Sequence, residues 1–158
     1  MDIYDIFKQL NIEFKETEHE PIFTIEQSQN IKNINGTGCK NLFLTNRKKN
    51  YYLVLLEETK RANIKDIAKL VNESHLSFAS EIELNNILKL KPGSVTPLGI
   101  MNDKDNIVTL IIDNELKGKK ILVHPNTNTK TIVLSYDDLI KFIEFEKHNY
   151  IFTNHREK

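Results

Sequence analysis

Lys40-Asn41-Leu42-Phe43-Leu44-Thr45 and Tyr51-Tyr52-Leu53-Val54-Leu55-Leu56-Glu57 are two apolar runs flanking the polar tract Asn46-Arg47-Lys48-Lys49-Asn50. Short apolar runs bounded by turn residues read as strands, and so brief a polar connection makes them a β-hairpin with a basic tip. Gly36-Thr37-Gly38 interrupts whatever precedes the first strand.

Upstream, MDIYDIFKQL sets Ile3, Phe7 and Leu10 on one face, as an amphipathic first helix does. Asn11 to His19 alternates Ile12 and Phe14 with Glu13 and Lys15 and reads as a half-buried strand ending at His19-Glu20-Pro21. Thr24-Ile25-Glu26-Gln27 has capping-box spacing and opens a short helix to about Lys32.

Downstream, Ile64, Ile67, Ala68 and Val71 recur at helical spacing, Leu76 to Ala79 suits a short strand, and Ser80-Glu81-Ile82-Glu83 caps a helix to about Leu88. Lys91-Pro92-Gly93-Ser94-Val95-Thr96-Pro97 is a loop, because both prolines lack an N–H and fix φ. Asn106 to Asp113, Lys120 to His124 and Thr129 to Leu134 are β-rich and are expected to close the sheet together. A last helix starts at Ser135 and buries Tyr136, Leu139, Ile140 and Ile143, and the tail from about His148 is expected to fray. Hairpins mixed with helices favour an α+β fold over a regularly alternating Rossmann arrangement, with residues 1–158 as one domain.

Composition narrows the partners. Lys plus Arg and Asp plus Glu each number 22 among 158 residues, so no global field draws the chain to DNA, to an anionic membrane or along extended RNA. Any polyanion is gripped locally. The acidic, amphipathic start does not resemble a secretory signal, no apolar run approaches the roughly 20 residues that span a bilayer, and the single Cys39 cannot form an internal disulfide. The expected compartment is the cytoplasm.

Familiar catalytic signatures are missing: there is no G-x-S-x-G elbow, Walker loop or dinucleotide fingerprint. His19, His75, His124, His148 and His155 lack zinc-site spacing, so neither metal nor cofactor is expected. Cys39 beside Lys40 would be a nucleophile only if its thiol pKa were lowered, and a small packing residue is the simpler role.

Four clusters remain: His19-Glu20-Pro21-Ile22-Phe23-Thr24, Gly38-Cys39-Lys40-Asn41-Leu42-Phe43-Leu44, Gly93-Ser94-Val95-Thr96-Pro97-Leu98-Gly99 and His124-Pro125-Asn126-Thr127-Asn128-Thr129. In this order and spacing they resemble the YbaK/ProX family of freestanding tRNA-editing proteins, over nearly the whole chain. The Lys-Asn-Leu-Phe-Leu and His-Pro-Asn-Thr-Asn-Thr runs are similar to the ProX branch, which removes alanine mischarged on tRNA for proline. The resemblance implies a mixed sheet, partly curled into a barrel and surrounded by helices. It also implies Lys40, Asn41 and His124 as the catalytic core, with Gly93 and Pro97 matching a Gly-x-x-x-Pro substrate loop. The partner implied is the aminoacylated 3′ end of a mischarged tRNA, with prolyl-tRNA synthetase as a further candidate.

Each assignment has a plainer counterpart. Hydrolysis of an aminoacyl ester needs held water, donors for the oxyanion and a proton path to the leaving oxygen. Lys40 would bring a cation to that site, although most lysines are solvated. Adjacent side chains on a strand point to opposite faces, so Lys40 and Asn41 share a pocket only if a twist or bulge near Gly36 and Gly38 intervenes. Backbone N–H groups of Gly93, Ser94, Val95 and Thr96 would offer a donor cluster, or merely a turn. Pro125 fixes where His124 points, whereas His19, as a wall, and Thr24 are counted among the substrate-binding residues, with a structural role and a helix cap as their plainer readings. No side chain is a convincing general base, so the neighbouring ribose hydroxyl of the substrate is expected to help activate water. Arg47, Lys48 and Lys49, with Lys60 and Arg61, are candidates for tRNA phosphates. Alternatives are a Cys- or Ser-tRNA deacylase of the same fold and a noncatalytic module that binds a synthetase or tRNA end.

Overall fold

A computed structural model describes residues 2–19, 36–127 and 129–156. The expected helix from Thr24 to about Lys32 lies outside them. Helix α1 (Ile3–Gln9) begins with a capping box: the Asp2 side chain accepts the Asp5 N–H at 2.9 Å, and Asp5 accepts that of Asp2 at 3.1 Å. Ile6 and Phe7 are buried, and the Phe14 ring stands 5.1 Å from that of Phe7. Asn11 turns the chain at φ 56°, so the expected strand starts late, as β1 (Lys15–Glu18).

The hairpin forms as read. β2 (Cys39–Thr45) pairs antiparallel with β3 (Tyr51–Glu57) over its whole length, from Cys39↔Glu57 to Thr45↔Tyr51. After β3 come α2 (Ile64–Leu70), β4 (Ser77–Phe78) and α3 (Glu81–Leu88), the last with Ser80 and Glu83 in a capping box. Glu83 also accepts the Tyr51 hydroxyl at 2.6 Å and pairs with Lys49 at 3.4 Å, tying the hairpin to α3.

A 3₁₀ turn over Pro97–Asn102 leads to β5 (Val108–Asp113), then β6 (Lys120–Val123), β7 (Lys130–Ser135), α4 (Tyr136–Phe145) and β8 (Tyr150–Thr153). They do not close one sheet. β5 lies parallel to β3 in a five-stranded sheet ordered β4-β2-β3-β5-β8, while β6 and β7 join β1 in a three-stranded sheet ordered β1-β7-β6. The cause is burial: Leu110, Ile111 and Ile112 are fully buried, which an interior parallel strand with both faces covered accommodates.

Among the described residues one isolated parallel bridge, Thr37↔Ile121, links the two sheets, which curl toward a barrel without closing one. Between the sheets, Phe43, Leu53, Leu55, Leu110 and Ile112 meet Ile121, Val123, Ile132 and Leu134, with Phe7, Leu88 and Phe142 from the helices. On the other face of the five-stranded sheet, Leu44, Val54, Leu56 and Ile111 pack with Ile67 and Ala68 of α2.

Two expectations about the surface are corrected. The segment after His148 does not fray: β8 pairs with β5, and buried His148 hydrogen-bonds Asp103 at 2.8 Å, whose carboxylate also accepts the Val108 N–H at 2.9 Å. Lys60 is not a surface cation. It is 3% exposed, pairs with Asp113 at 2.8 Å and donates to the His155 carbonyl at 2.6 Å. Burial is tolerable because each charge faces its opposite, and removing one partner strands the other. Asp113→Ala should therefore destabilise the fold by about 3–5 kcal/mol, while Lys60→Met with Asp113→Leu recovers much of that loss, read as urea unfolding midpoints.

Candidate active site

Strand β2 carries two different surfaces. In register with Leu56, Val54 and Tyr52, residues Lys40, Leu42 and Leu44 face α2, whereas Cys39, Asn41 and Phe43, opposite Glu57, Leu55 and Leu53, face the space between the sheets. Lys40 and Asn41 therefore diverge. The Lys40 ammonium donates to the Lys60 carbonyl at 2.5 Å. Asn41 turns inward, and its Oδ1 is buried without a hydrogen-bond donor.

Gly38 explains how the chain enters β2. A Cβ there would stand 2.0 Å from a Glu58 carboxylate oxygen, so only glycine lets that carboxyl lie over the backbone. Burial, and after it the charge of Glu57, pushes the Glu58 pKa up. Glu58 had no motif to mark it in the sequence. Cys39 belongs to the packing: its thiol donates to the Thr37 carbonyl at 3.7 Å, and burial pushes its pKa up, away from a reactive thiolate.

The histidines meet in the other sheet. His19, at the end of β1, donates its N–H to the Thr129 carbonyl at 2.8 Å and places its Nε2 2.6 Å from the Thr131 hydroxyl. His124, just beyond β6, stands edge-on to His19 with ring centroids 6.5 Å apart. Its Nδ1 donates to the Lys130 carbonyl at 3.0 Å, which puts the proton of the neutral ring on Nδ1 and leaves a lone pair on Nε2. Burial is the main cause of a lowered His124 pKa, opposed by the Lys130 hydrogen bond and assisted by the charge of His19.

Two loops support this corner. Lys91 to Ser94 form a turn closed by the Ser94 N–H on the Lys91 carbonyl at 3.0 Å, with Gly93 at φ 87°, which favours glycine. Thr96 and Pro97 are buried, and Thr96 caps the following 3₁₀ turn, so these two hold the loop in place. Gly93 is exposed, and Ser94 and Val95 are half-buried. Met101 in that turn receives an Asn126 amide N–H at 3.5 Å from Sδ, joining the loop to the turn after His124. Asn126 leaves its own Oδ1 buried and without a donor.

The structure thus brings His19, His124 and Thr131 together and links the Pro97 turn to Asn126. It places the Lys40 ammonium on the opposite side of its strand from Asn41, and Thr24 lies outside the described residues. Thr131 and Met101 were not singled out in the sequence, and Asn126 only as part of the His124–Thr129 run. Thr131 could have been found only from the β1–β7 register, which sets it opposite Thr17.

Residues 19–142 match the family model of the aminoacyl-tRNA editing domain, and the chain belongs to that family, whose chemistry is deacylation of mischarged tRNA. It is 38% identical over 140 residues to the prolyl-tRNA editing protein ProX of Acetoanaerobium sticklandii, covering 86% of this chain and 85% of that protein. It is 36% identical over 152 residues to prolyl-tRNA synthetase associated domain-containing protein 1 of Mus musculus, covering 92% of this chain and 89% of that one. The crystal structure of a candidate trans-editing enzyme for prolyl tRNA synthetase shares the fold, with a TM-score of 0.68 at 20% identity and coverage of 88% and 85%. The YbaK/ProX likeness read from the four motifs is therefore borne out. Among the described residues no helix is long and apolar enough to cross a membrane.

The lowered His124 pKa has a stability consequence. As pH falls through the ordinary value of 6.5, the unfolded chain takes up a proton that the buried ring resists, so folding weakens on the acid side. Urea midpoints at about pH 8 and about pH 5.5 should show a larger acid loss for the parent than for His124→Gln.

Proposed function

We propose that this protein hydrolyses Ala-tRNA(Pro) in trans, as one editing domain spanning residues 1–158 and working in the cytoplasm. The observation that carries the proposal is the buried Asn41 Oδ1, an acceptor without a donor at the start of β2. A buried acceptor left unpaired costs about 1–3 kcal/mol, and an aminoacyl group brings an ammonium able to satisfy it. Likeness to ProX, a prolyl-tRNA editing protein, supports the choice of tRNA. Thr37 and Ile121 run parallel at their bridge, so Asn41 and His124 leave it in the same direction.

Asn41 and His124 form the polar core, with His19 and the Gly93–Pro97 loop as walls. Water attacks the ester carbonyl, and the ribose hydroxyl next to the ester helps to activate it. The neutral His124 Nε2 accepts a hydrogen bond from that hydroxyl or from the water. Lys40, whose ammonium lies on the other face of β2, joins the site by leaving the Lys60 carbonyl and turning round the strand edge when the RNA end is bound. Exclusion is steric: a pocket sized for Ala rejects Pro, because forcing extra methylenes into a packed site costs about 1–3 kcal/mol. Prolyl-tRNA synthetase is the proposed source of the mischarged tRNA.

Parent protein incubated with Ala-, Cys-, Ser- and Pro-tRNA(Pro) should release alanine selectively, and Lys40→Ala and Asn41→Ala should each slow release about 100-fold or more. Loss of Cys or Ser in preference to Ala would change the substrate, and no cleavage of any would leave a binding module. Unimpaired cleavage by Lys40→Ala would make Lys40 a strap for the turn around Lys60 and nothing more.

The basic tip remains a phosphate contact in this proposal, now without Lys60. Arg47, Lys48 and Lys49 are exposed at the hairpin tip, and Phe78 of the neighbouring β4 is 61% exposed, which offers cations and a stacking ring. Arg47→Ser with Lys48→Ser should raise KM for the tRNA and make the slope of log affinity against log salt shallower by about 1–2, with kcat little changed.

A further inference from the structure

Strand β2 has two edges, and the alternation of its hydrogen bonds decides which backbone groups look to which. The Glu58 N–H donates to the Gly38 carbonyl at 3.0 Å, so Gly38, and with it Lys40, Leu42 and Leu44, direct their backbone groups to β3. The odd-numbered residues direct theirs to the opposite edge. Both ends confirm the alternation. The Thr37 N–H donates to Lys120 at 2.8 Å and its carbonyl accepts from Leu122 at 3.0 Å, while the Phe43 carbonyl accepts from Ala79 at 2.9 Å.

Asn41 lies between these anchors. β6 bridges this edge at Thr37, and β4 is in register with Leu44 and Thr45, so among the described residues neither strand stands opposite the Asn41 N–H. An unpaired edge N–H is a strong donor held rigidly by the pairing on the far side of its strand. The same residue also carries the buried, donorless Oδ1. Among the described residues, the stretch of this edge around Asn41 runs from the bridge at Thr37 to the β4 register at Leu44.

We infer that the main-chain N–H of Asn41 holds the carbonyl oxygen of the aminoacyl ester and is the oxyanion donor of the reaction, while Asn41 Oδ1 accepts a hydrogen from the α-ammonium. This rests on the deacylase function proposed above and adds a backbone group to it. Water oxygen bonds to the ester carbon, and the carbonyl π pair moves onto oxygen, where the Asn41 N–H meets it. Collapse re-forms the carbonyl and breaks the bond to the ribose oxygen, which leaves with the proton given up by water. A donor fixed in a sheet needs no reorganisation as charge develops, the condition under which such a contact lowers a barrier most.

The test replaces the amide between Lys40 and Asn41 by an ester in the full chain, using the α-hydroxy analogue of asparagine, so the N–H is removed and the side chain kept. Hydrolysis of Ala-tRNA(Pro) should fall about 100- to 1,000-fold in kcat with KM little moved and the unfolding midpoint lowered only as far as a weaker Lys40 carbonyl acceptor requires. The same replacement at Leu42, whose N–H belongs to β3, should lower the midpoint and spare kcat. In the ¹⁵N-labelled parent, adding adenosine that carries alanine through a stable 3′-amide should shift the Asn41 amide proton and slow its exchange, leaving Leu42 unmoved. A position-41 ester that cleaves at the parent rate, or an Asn41 amide unmoved by the analogue while the parent cleaves tRNA, overturns this assignment alone. A parent that cleaves no aminoacyl-tRNA removes the deacylase function and the assignment with it.

Discussion

Leu53, Val54, Leu55 and Leu56 in β3 are all fully buried, and covering both faces of that strand constrains most of the molecule. One face sends Leu53 and Leu55 into the space between the sheets, and the other sends Val54 and Leu56 toward α2. Hydrogen bonding must be met on both edges as well, which β2 does antiparallel and β5 in parallel. A parallel neighbour requires a long crossover, and the chain spends it on α2, β4, α3 and the Pro97 turn. The loop that borders the candidate site is thus part of the connection that brings β5 beside β3.

Among the described residues, β2 is less completely covered than β3. β3 occupies one of its edges from end to end, while among the described residues the other is shared by β6 at Thr37 and β4 at Leu44 and Thr45. A closed barrel would have paired every odd-numbered residue of β2. The partial barrel leaves Asn41 between two short partners, with an amide side chain that finds no donor in the interior. A stability deficit at this spot makes sense if a ligand repairs it, as binding sites retain polar groups that packing alone would remove.

Much of this was legible locally. Ser80 and Ser135 cap helices as their spacing indicates, and the hairpin forms from the two runs and their tip. Strand alternation also separated Lys40 from Asn41, and the structure keeps them on opposite faces without a bulge between them. What stayed hidden was set by distant partners. Lys60 looks like a surface cation until Asp113 is brought beneath it, and His148 looks like a frayed end until Asp103 meets it. β5 has the composition of its neighbours β6 and β7, and only the bare edge of β3 assigns it to the other sheet. The pairing of His19 with Thr131 likewise joins residues 112 positions apart.

The chemistry of the site follows from what its groups are able to do. Burial pushes the Cys39 thiol pKa up, so a covalent thioester route has no activated nucleophile at this strand. His124 has one nitrogen committed to the Lys130 carbonyl and is held neutral by burial, so it accepts at Nε2 without bringing a charge. An aminoacyl ester is already activated by its α-ammonium and carries a hydroxyl on the adjacent ribose carbon. A substrate that supplies both an electrophile and a proton-transfer group needs from the protein mainly placement, exclusion of larger acyl groups and a fixed donor for the oxyanion. Rigid backbone serves those needs better than a flexible charged side chain. On the proposed reading, polar groups spread over two sheets and one loop form a hydrolytic site without a triad among the described residues.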